Sequence, residues 1–309
     1  MSEQPHPIIF IVGPTAVGKS EAAYQLAQQV GGEIISCDSM QVYQEINVAS
    51  NKVPLEERSR VRHHLIDIIS VEEQFNVSRF NTLANQAVQS IFQNKHVPIV
   101  CGGTGMYMQV MLDGIFDDAP FDQSVRREIQ SEINDYGLDV MYERLKSLDI
   151  KTAEGIHPHD RKRVVRALEV MRIQHKKFSD LKTDRSGLWQ KYPVKLYCLD
   201  MDRDKLYSRI NHRVDHMFQE GVVDEIRSLM NLNWSQTAKG LIGVKEVFNF
   251  LQGKYDLPTA KEEMKKNTRH FAKRQWTWFR KEERLHWLDT DQFSTTADIV
   301  NFIKEDFPL

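Results

Sequence analysis

The sequence predicts an α/β fold, a P-loop NTPase-like parallel sheet flanked by helices and carrying a helical insertion domain. Three observations lead there. The apolar, β-branched run Ile8 to Val12 passes through Gly13 to Ser20 into a helical pattern, the strand, Gly-rich loop, helix order of a phosphate-binding unit. Two further buried-strand patterns, Glu33 to Cys37 and Val97 to Cys101, are separated by the helix-like stretch Val77 to Gln93, and strands alternating with helices make a parallel sheet. From Phe116 to about Lys191 such strand patterns vanish, and charge-rich, helix-forming sequence is broken by Gly137, Gly155 and Pro158.

The first helix should run to Val30, with Ala22, Ala23, Leu26, Ala27 and Val30 on its apolar face. Strand character returns at Val194 to Leu199. The stretch Arg203 to Met230 then reads as one long helix, because Ile210, Val214, Met217 and Phe218 follow i, i+4, i+7, i+8 spacing. The remainder is helical apart from the short stretch Leu285 to Leu288. Residues 1–115 and 191–309 are therefore expected to form a P-loop kinase-like catalytic core, and residues 116–190 the helical insertion.

The chain has 309 residues, with 41 Lys plus Arg against 43 Asp plus Glu. A net charge of -2 carries no whole-chain signature of nucleic-acid binding. Its distribution says more: residues 151–185 hold 10 basic against 5 acidic side chains, and residues 261–281 hold 8 against 2. Two basic patches on a near-neutral chain suggest a local anionic partner. Cys37, Cys101 and Cys198 are widely spaced and form no CxxC pair, which argues against a disulfide framework or a structural zinc and fits a reducing compartment. With no basic leader and no apolar run long enough to span a bilayer, the expectation is a cytoplasmic protein that uses no membrane. Nothing in the sequence suggests more than a monomer.

Gly13-Pro14-Thr15-Ala16-Val17-Gly18-Lys19-Ser20 matches GxxxxGK[ST] in the strand-to-helix context that the motif needs. Its amides and helix N-terminus suit phosphate oxygens, Lys19 adds a cation, and Ser20 is placed to hold Mg2+. A P-loop kinase would normally end a second apolar strand in an Asp that helps hold the metal. Here Pro98 to Cys101 runs into Gly102-Gly103-Thr104-Gly105 instead, and the other candidate, Leu196 to Asp200, sits late in the chain. Asp38, at the end of the second strand, faces the rim where open α/β sheets bind ligands. It reads as a general base, a metal ligand or a turn residue. Arg209 and Arg213, i and i+4 on one helix, reach into a phosphate site or form a solvated charged face. Arg163 and Arg166 likewise read either as phosphate-backbone contacts or as a salt-bridged surface. Residues 268–281 interleave Phe271, Trp276, Trp278 and Phe279 with Arg269, Lys273, Arg274 and Arg280, which suits RNA or, at helical spacing, a core. His63, His64 and Asp67 look metal-like but read better as a hydrogen-bonded loop.

In order, GPTAVGKS, CDSMQVY, RHHLID, GGTGMY, HPHDRKRVVRALEV, the helix with Arg213 and TRHFAKRQWTWFR resemble the bacterial tRNA dimethylallyltransferases over residues 8–290. The resemblance implies transfer of a dimethylallyl group from dimethylallyl diphosphate to the exocyclic amine of the adenosine 3′ of the anticodon (position 37), in tRNAs reading codons that begin with U. It further implies a flipped target base and an insertion that grips the anticodon stem. By the same resemblance Asp38 accepts the amine proton and the Thr104 hydroxyl lies near the bridging oxygen of the diphosphate. Lys19 and Arg213 stabilise the departing pyrophosphate, with Mg2+ on Ser20. The tRNA contacts implied are Asp38, Ser39, Met40 and Gln41, then Lys162, Arg163, Val164, Val165 and Arg166, then Gly240, Leu241, Ile242, Gly243, Val244 and Lys245, together with Arg126.

Two stretches depart from the usual bacterial pattern. Ala49-Ser50-Asn51-Lys52-Val53 is closer to eukaryotic members, and Val244 replaces a common Tyr. Adenylate isopentenyltransferases, which prenylate free nucleotides, share the P-loop and the catalytic Asp. The GGTGMY strand end and the extended basic segments favour the tRNA enzymes. A small-metabolite kinase is the alternative from another class, and it would turn over ATP.

Overall fold

A computed structural model of the protein describes residues 7–115, 122–181 and 186–306. The chain divides into two compact units, residues 1–112 with 188–309, and residues 113–187. The larger unit is built on six parallel strands, β1 (Ile8–Val12), β2 (Gly32–Cys37), β3 (His63–His64), β4 (Val97–Gly102), β5 (Val194–Asp200) and β6 (His286–Asp289), in the order β3-β2-β4-β1-β5-β6. Every residue of β1 is buried. Ile8, Phe10 and Val12 join one core and Ile9 and Ile11 the other, as the two-residue side-chain period of a strand covered on both faces requires. Each such side chain contributes about 1.5–3 kcal/mol by leaving water.

The helices supply the covers. Ala22, Ala23, Leu26 and Ala27 of the helix Lys19–Val30 pack in the core with Ile9 and Ile11, whereas Phe80, Ala84, Val88 and Ile91 of the helix Val77–Gln93 pack in the other. Asn76 caps the latter by accepting from the Arg79 backbone N–H at 2.8 Å. The helices Arg203–Gln219 and Leu257–Phe279 each contribute to both cores, through Ile210 and Met217 and through Trp276 and Phe279.

Two elements differ from the sequence expectation. The pattern over Arg203 to Met230 is two helices, Arg203–Gln219 and Val222–Ser228, because Gly221 adopts φ 90°, a left-handed conformation that ends the first and starts the second. This break brings Glu225 to the loop before Lys52, where its carboxylate accepts the backbone N–H groups of Asn47, Val48 and Ala49 at 2.7 to 2.9 Å. His63 and His64 form an edge strand rather than a loop, in register with Ile34 and Ile35. Two residues carry no periodicity for a sequence to display.

Beside that edge, the buried Glu33 carboxylate holds His64 Nε2 and His96 Nδ1, both at 2.6 Å, and Asn94 Nδ2 at 3.3 Å. Burial opposes ionisation, but the hydrogen bonds from His96, His64 and Asn94 outweigh it and hold the Glu33 pKa below its ordinary 4.5. A depressed carboxylate pKa contributes stability that is present above about pH 4.5 and lost as the pH falls through the folded value. Glu33→Gln is expected to lower stability near pH 6 by about 1–3 kcal/mol. The gap to the parent should narrow in urea melts as the pH is taken down from 4.5 through the depressed folded value, and a gap that stays constant down the series would remove Glu33 from the acid response.

The smaller unit is helical. Gln123–Tyr136, Leu138–Leu148 and Arg161–Gln174 bury Ile129, Ile133, Met141, Leu145, Val164, Val165 and Leu168 among themselves. Gly137 at φ 88° makes the turn between the first two. Asp160 caps the third, accepting from the Arg163 backbone N–H at 3.1 Å.

Candidate active site

Three parallel strands end at one rim, and the loops that follow β1, β2 and β4 line a cavity of about 430 Å³. The phosphate loop contributes Thr15, Ala16, Gly18, Lys19 and Ser20, and β2 and its loop contribute Ser36, Asp38, Met40 and Gln41. Gly102 and Gly103 come from the end of β4. The lining also includes the apolar side chains Val214, Met217, Ile242, Met264 and Phe271, together with Arg209 and Arg213. Of these two arginines, Arg213 is half-buried and tied to the phosphate loop, whereas Arg209 stays exposed and keeps its solvated face.

The rim is closely packed. A Cβ on Gly102 would fall 2.1 Å from the Cys37 carbonyl oxygen, and one on Gly13 would fall 2.3 Å from that of Leu199. Only hydrogen fits at either position, so the glycines allow the strand ends to meet.

Within the loop, Lys19 is buried, and its Nζ donates to the Pro14 carbonyl at 2.6 Å. Burial lowers the Lys19 pKa from 10.5 against the Cys101 thiol and the Asp38 carboxylate, which raise it, while Arg213 lowers it further. Burial likewise lowers the Arg213 pKa, and Asp38 opposes it. One buried and one half-buried cation thus share the cavity with the Asp38 carboxylate, an arrangement suited to an anion. Arg213 Nη1 donates to Thr15 Oγ1 at 3.1 Å, which seats the guanidinium on the phosphate loop.

Asp38 Oδ1 accepts the Met40 backbone N–H at 2.8 Å, an Asx turn that fixes the carboxylate at the cavity wall. Thr104 accepts the Ser39 N–H on Oγ1 at 3.2 Å, and its own amide donates to the Cys37 carbonyl at 3.1 Å. Asp200, the late candidate for a metal-holding strand end, accepts the Trp276 indole N–H at 2.6 Å and does not line the cavity. Among the described residues no three His, Cys, Asp or Glu side chains gather into a group that could hold a metal. Ser20, exposed at the start of its helix and lining the cavity, instead suits a hard cation shared with phosphate oxygens.

Comparison with known proteins decides the family. A model described as IPP transferase matches residues 41–282. The chain is 37% identical over 308 residues to the tRNA dimethylallyltransferase of Alkaliphilus oremlandii, covering 97% of this chain and 96% of that one. Among solved structures, the full-length tRNA isopentenylpyrophosphate transferase of Bacillus halodurans superposes with a TM-score of 0.70 at 36% identity, covering 97% of this chain and 96% of that chain. A eukaryotic dimethylallyltransferase acting on tRNA gives a TM-score of 0.80 at 30% identity, covering 98% of this chain and 81% of that one. The chain belongs to the IPP transferase family.

Membership makes it a prenyltransferase. The family match begins at Gln41, so the phosphate loop and Asp38 stand on their own geometry. The residues that resemblance to the IPP transferases assigned to tRNA fall into three groups. Asp38, Met40 and Gln41 line the cavity, with Ser39 tied to Thr104 beside them. Gly240 to Lys245 bring only Ile242 to the cavity wall; Lys239 and Lys245 are exposed, and Val244 is buried in the core. Lys162 to Arg166 and Arg126 lie in the helical unit, where Lys162 and Arg163 are exposed but the side chains of Val164 and Val165 are buried. The side chains of Val164, Val165 and Val244 are therefore closed to a ligand. Arg163 Nε lies 3.4 Å from Asp160 and Arg166 Nη1 lies 3.3 Å from Glu169, so both also take part in ion pairs within their helix.

The aromatic segment resolves mainly as core, since Trp276 and Phe279 are buried while Phe271 reaches the cavity. Sequence reasoning missed Gln275, whose amide spans two loops, and the apolar part of the lining. Among the described residues no helix is long and apolar enough to cross a membrane.

Proposed function

We propose that the chain transfers a dimethylallyl group from dimethylallyl diphosphate to the exocyclic amine of adenosine 37, 3′ of the anticodon, in tRNAs reading codons that begin with U. The observation that carries this reading is the cavity lined together by the phosphate loop, the buried Lys19, the half-buried Arg213, the fixed Asp38 carboxylate and a set of apolar side chains. An allylic diphosphate has those three parts, an anionic leaving group, a hydrocarbon and a reacting carbon between them.

In the proposed step the adenine amine nitrogen forms a bond to the first carbon of the allyl group while the bond from that carbon to the diphosphate oxygen breaks. The amine proton passes to Asp38, and pyrophosphate leaves. Lys19, Arg213 and the loop amides take up the charge that develops on the leaving oxygen, which lowers the barrier because they are already oriented and partly desolvated. Thr104, which does not itself line the cavity but holds the Ser39 N–H on its Oγ1 beside it, is assigned by resemblance the hydroxyl near the bridging oxygen. Ser20 would hold Mg2+, which when bound would add positive charge at the leaving group. Val214, Met217, Ile242, Met264 and Phe271 suit the prenyl chain and keep water from the electron-poor carbon.

Radiolabelled dimethylallyl diphosphate with Mg2+ tests the reading when offered with an unmodified anticodon stem-loop beside free AMP and ATP. Label in the RNA alone is expected. Label in a free nucleotide points instead to nucleotide prenylation, and ATP turnover without transfer points to a kinase. The helical unit's role in gripping the anticodon stem has its own readout. Arg163→Gln with Arg166→Gln should reduce the salt slope of stem-loop binding by about two, near 0.9 for each phosphate that is no longer neutralised. An unchanged slope would mean that this helix does not hold the RNA backbone.

A further inference from the structure

Gln275 lies in the C-terminal part of the helix Leu257–Phe279, 5% exposed, and its side chain enters the active-site rim from the far end of the sequence. Its Oε1 accepts the Thr15 backbone N–H at 2.8 Å, and its Nε2 donates to the Gly103 carbonyl at 2.8 Å. One amide thus joins the phosphate loop to the end of β4. The fit leaves no slack, because a Cβ on Gly103 would fall 2.2 Å from Gln275 Nε2 and 3.3 Å from the Gly13 carbonyl oxygen. Thr15, held through its backbone by Gln275, accepts Arg213 Nη1 through its side chain at 3.1 Å. The contacts run without a break from Gly103 through Gln275 and Thr15 to Arg213.

We infer that Gln275 is a positioning residue, which sets the phosphate loop in its anion-binding shape and seats Arg213 against the leaving pyrophosphate. Two physical features single out an amide for this task. The site needs one acceptor and one donor a fixed distance apart, which Gln supplies without charge. A carboxylate there would oppose the Gly103 carbonyl and place a negative charge beside an anion site. The Thr15 amide is also withdrawn from the ligand, so the loop offers phosphate the amides that remain in one arrangement rather than several. Preorganisation of this kind strengthens anion binding by removing the cost of ordering the loop.

The identity of the anion rests on the prenyl-transfer reading, so the test uses inorganic pyrophosphate, its leaving group, as the probe. Titration calorimetry on the full chain is expected to show pyrophosphate binding about tenfold weaker in Gln275→Met, which keeps the volume and removes both hydrogen bonds. Stem-loop affinity should stay as in the parent. A role in packing alone would not couple Gln275 to Arg213, whereas positioning predicts that Gln275→Met and Arg213→Lys together cost less than the product of their separate effects. Parental pyrophosphate affinity in Gln275→Met, or strictly multiplicative effects, would overturn the inference while leaving prenyl transfer standing. Should Gln275→Met not fold, Gln275→Glu decides, with weaker pyrophosphate binding expected and parental binding overturning it. A parent that binds pyrophosphate, is weakened by these variants and yet transfers no prenyl group would keep Gln275 in place and remove the prenyl reading alone.

Discussion

Asparagine in place of Asp38 is expected to slow prenyl transfer by roughly two to four orders of magnitude, the range for losing a positioned general base. The substitution is chosen because the Asx turn survives it. An asparagine carbonyl accepts the Met40 N–H as the Asp38 carboxylate does at 2.8 Å, so the loop from Ser39 to Gln41 keeps its shape and the lesion is chemical. The adenine amine is a poor nucleophile while its lone pair is delocalised into the ring, and it acquires a full positive charge if it attacks without losing a proton. A carboxylate at the cavity wall removes that charge as it forms. Single-turnover rates with the stem-loop and diphosphate both saturating isolate the chemical step, and stem-loop affinity should change little. A parental single-turnover rate in Asp38→Asn would deprive Asp38 of the base role and return it to a turn residue.

How far the sequence discloses this site depends on whether the signal is local. The phosphate loop, β1 and the helix after it declare themselves within about twenty residues, because the loop needs small residues and the strand needs apolar ones on both faces. Asp38 and Gly102 to Thr104 were legible for a related reason, since ligands of a parallel sheet bind where strands end. Gln275 was not. It sits among Arg274, Trp276 and other residues that read as an RNA-facing or core helix, and its partners Thr15 and Gly103 are 260 and 172 residues away. Only the packed structure brings them together. The edge strand at His63 was hidden because its two residues take their conformation from β2 and Glu33 rather than from any pattern of their own. The break at Gly221 was hidden by its neighbours. Apolar spacing continues across Gly221 at helical period, and a single glycine within such a pattern is not by itself a stop.

Lys19→Met is expected to lower kcat/KM for the diphosphate substrate by roughly two to three orders of magnitude, the scale for removing one preorganised group from a developing anion. Its effect should exceed that of a surface cation because Lys19 is already buried, with Nζ fixed on the Pro14 carbonyl at 2.6 Å. No side chain has to be ordered or dried as the leaving group departs. The same burial gives the lysine a pH signature. Its pKa is lowered from 10.5, so in the free enzyme it gives up its proton before an exposed lysine does. A bound diphosphate favours the protonated form and draws the proton back. The KM for the diphosphate should therefore rise as the pH climbs through the depressed value, below 10.5, with one proton taken up on binding at the upper end. Lys19→Met has no such group and should show a flat profile over the same range, displaced to weak binding. A rise in the variant parallel to that of the parent would assign the titration to the ligand or to another residue. A kcat/KM near the parental value would mean that the loop amides and Arg213 carry the leaving-group charge without Lys19.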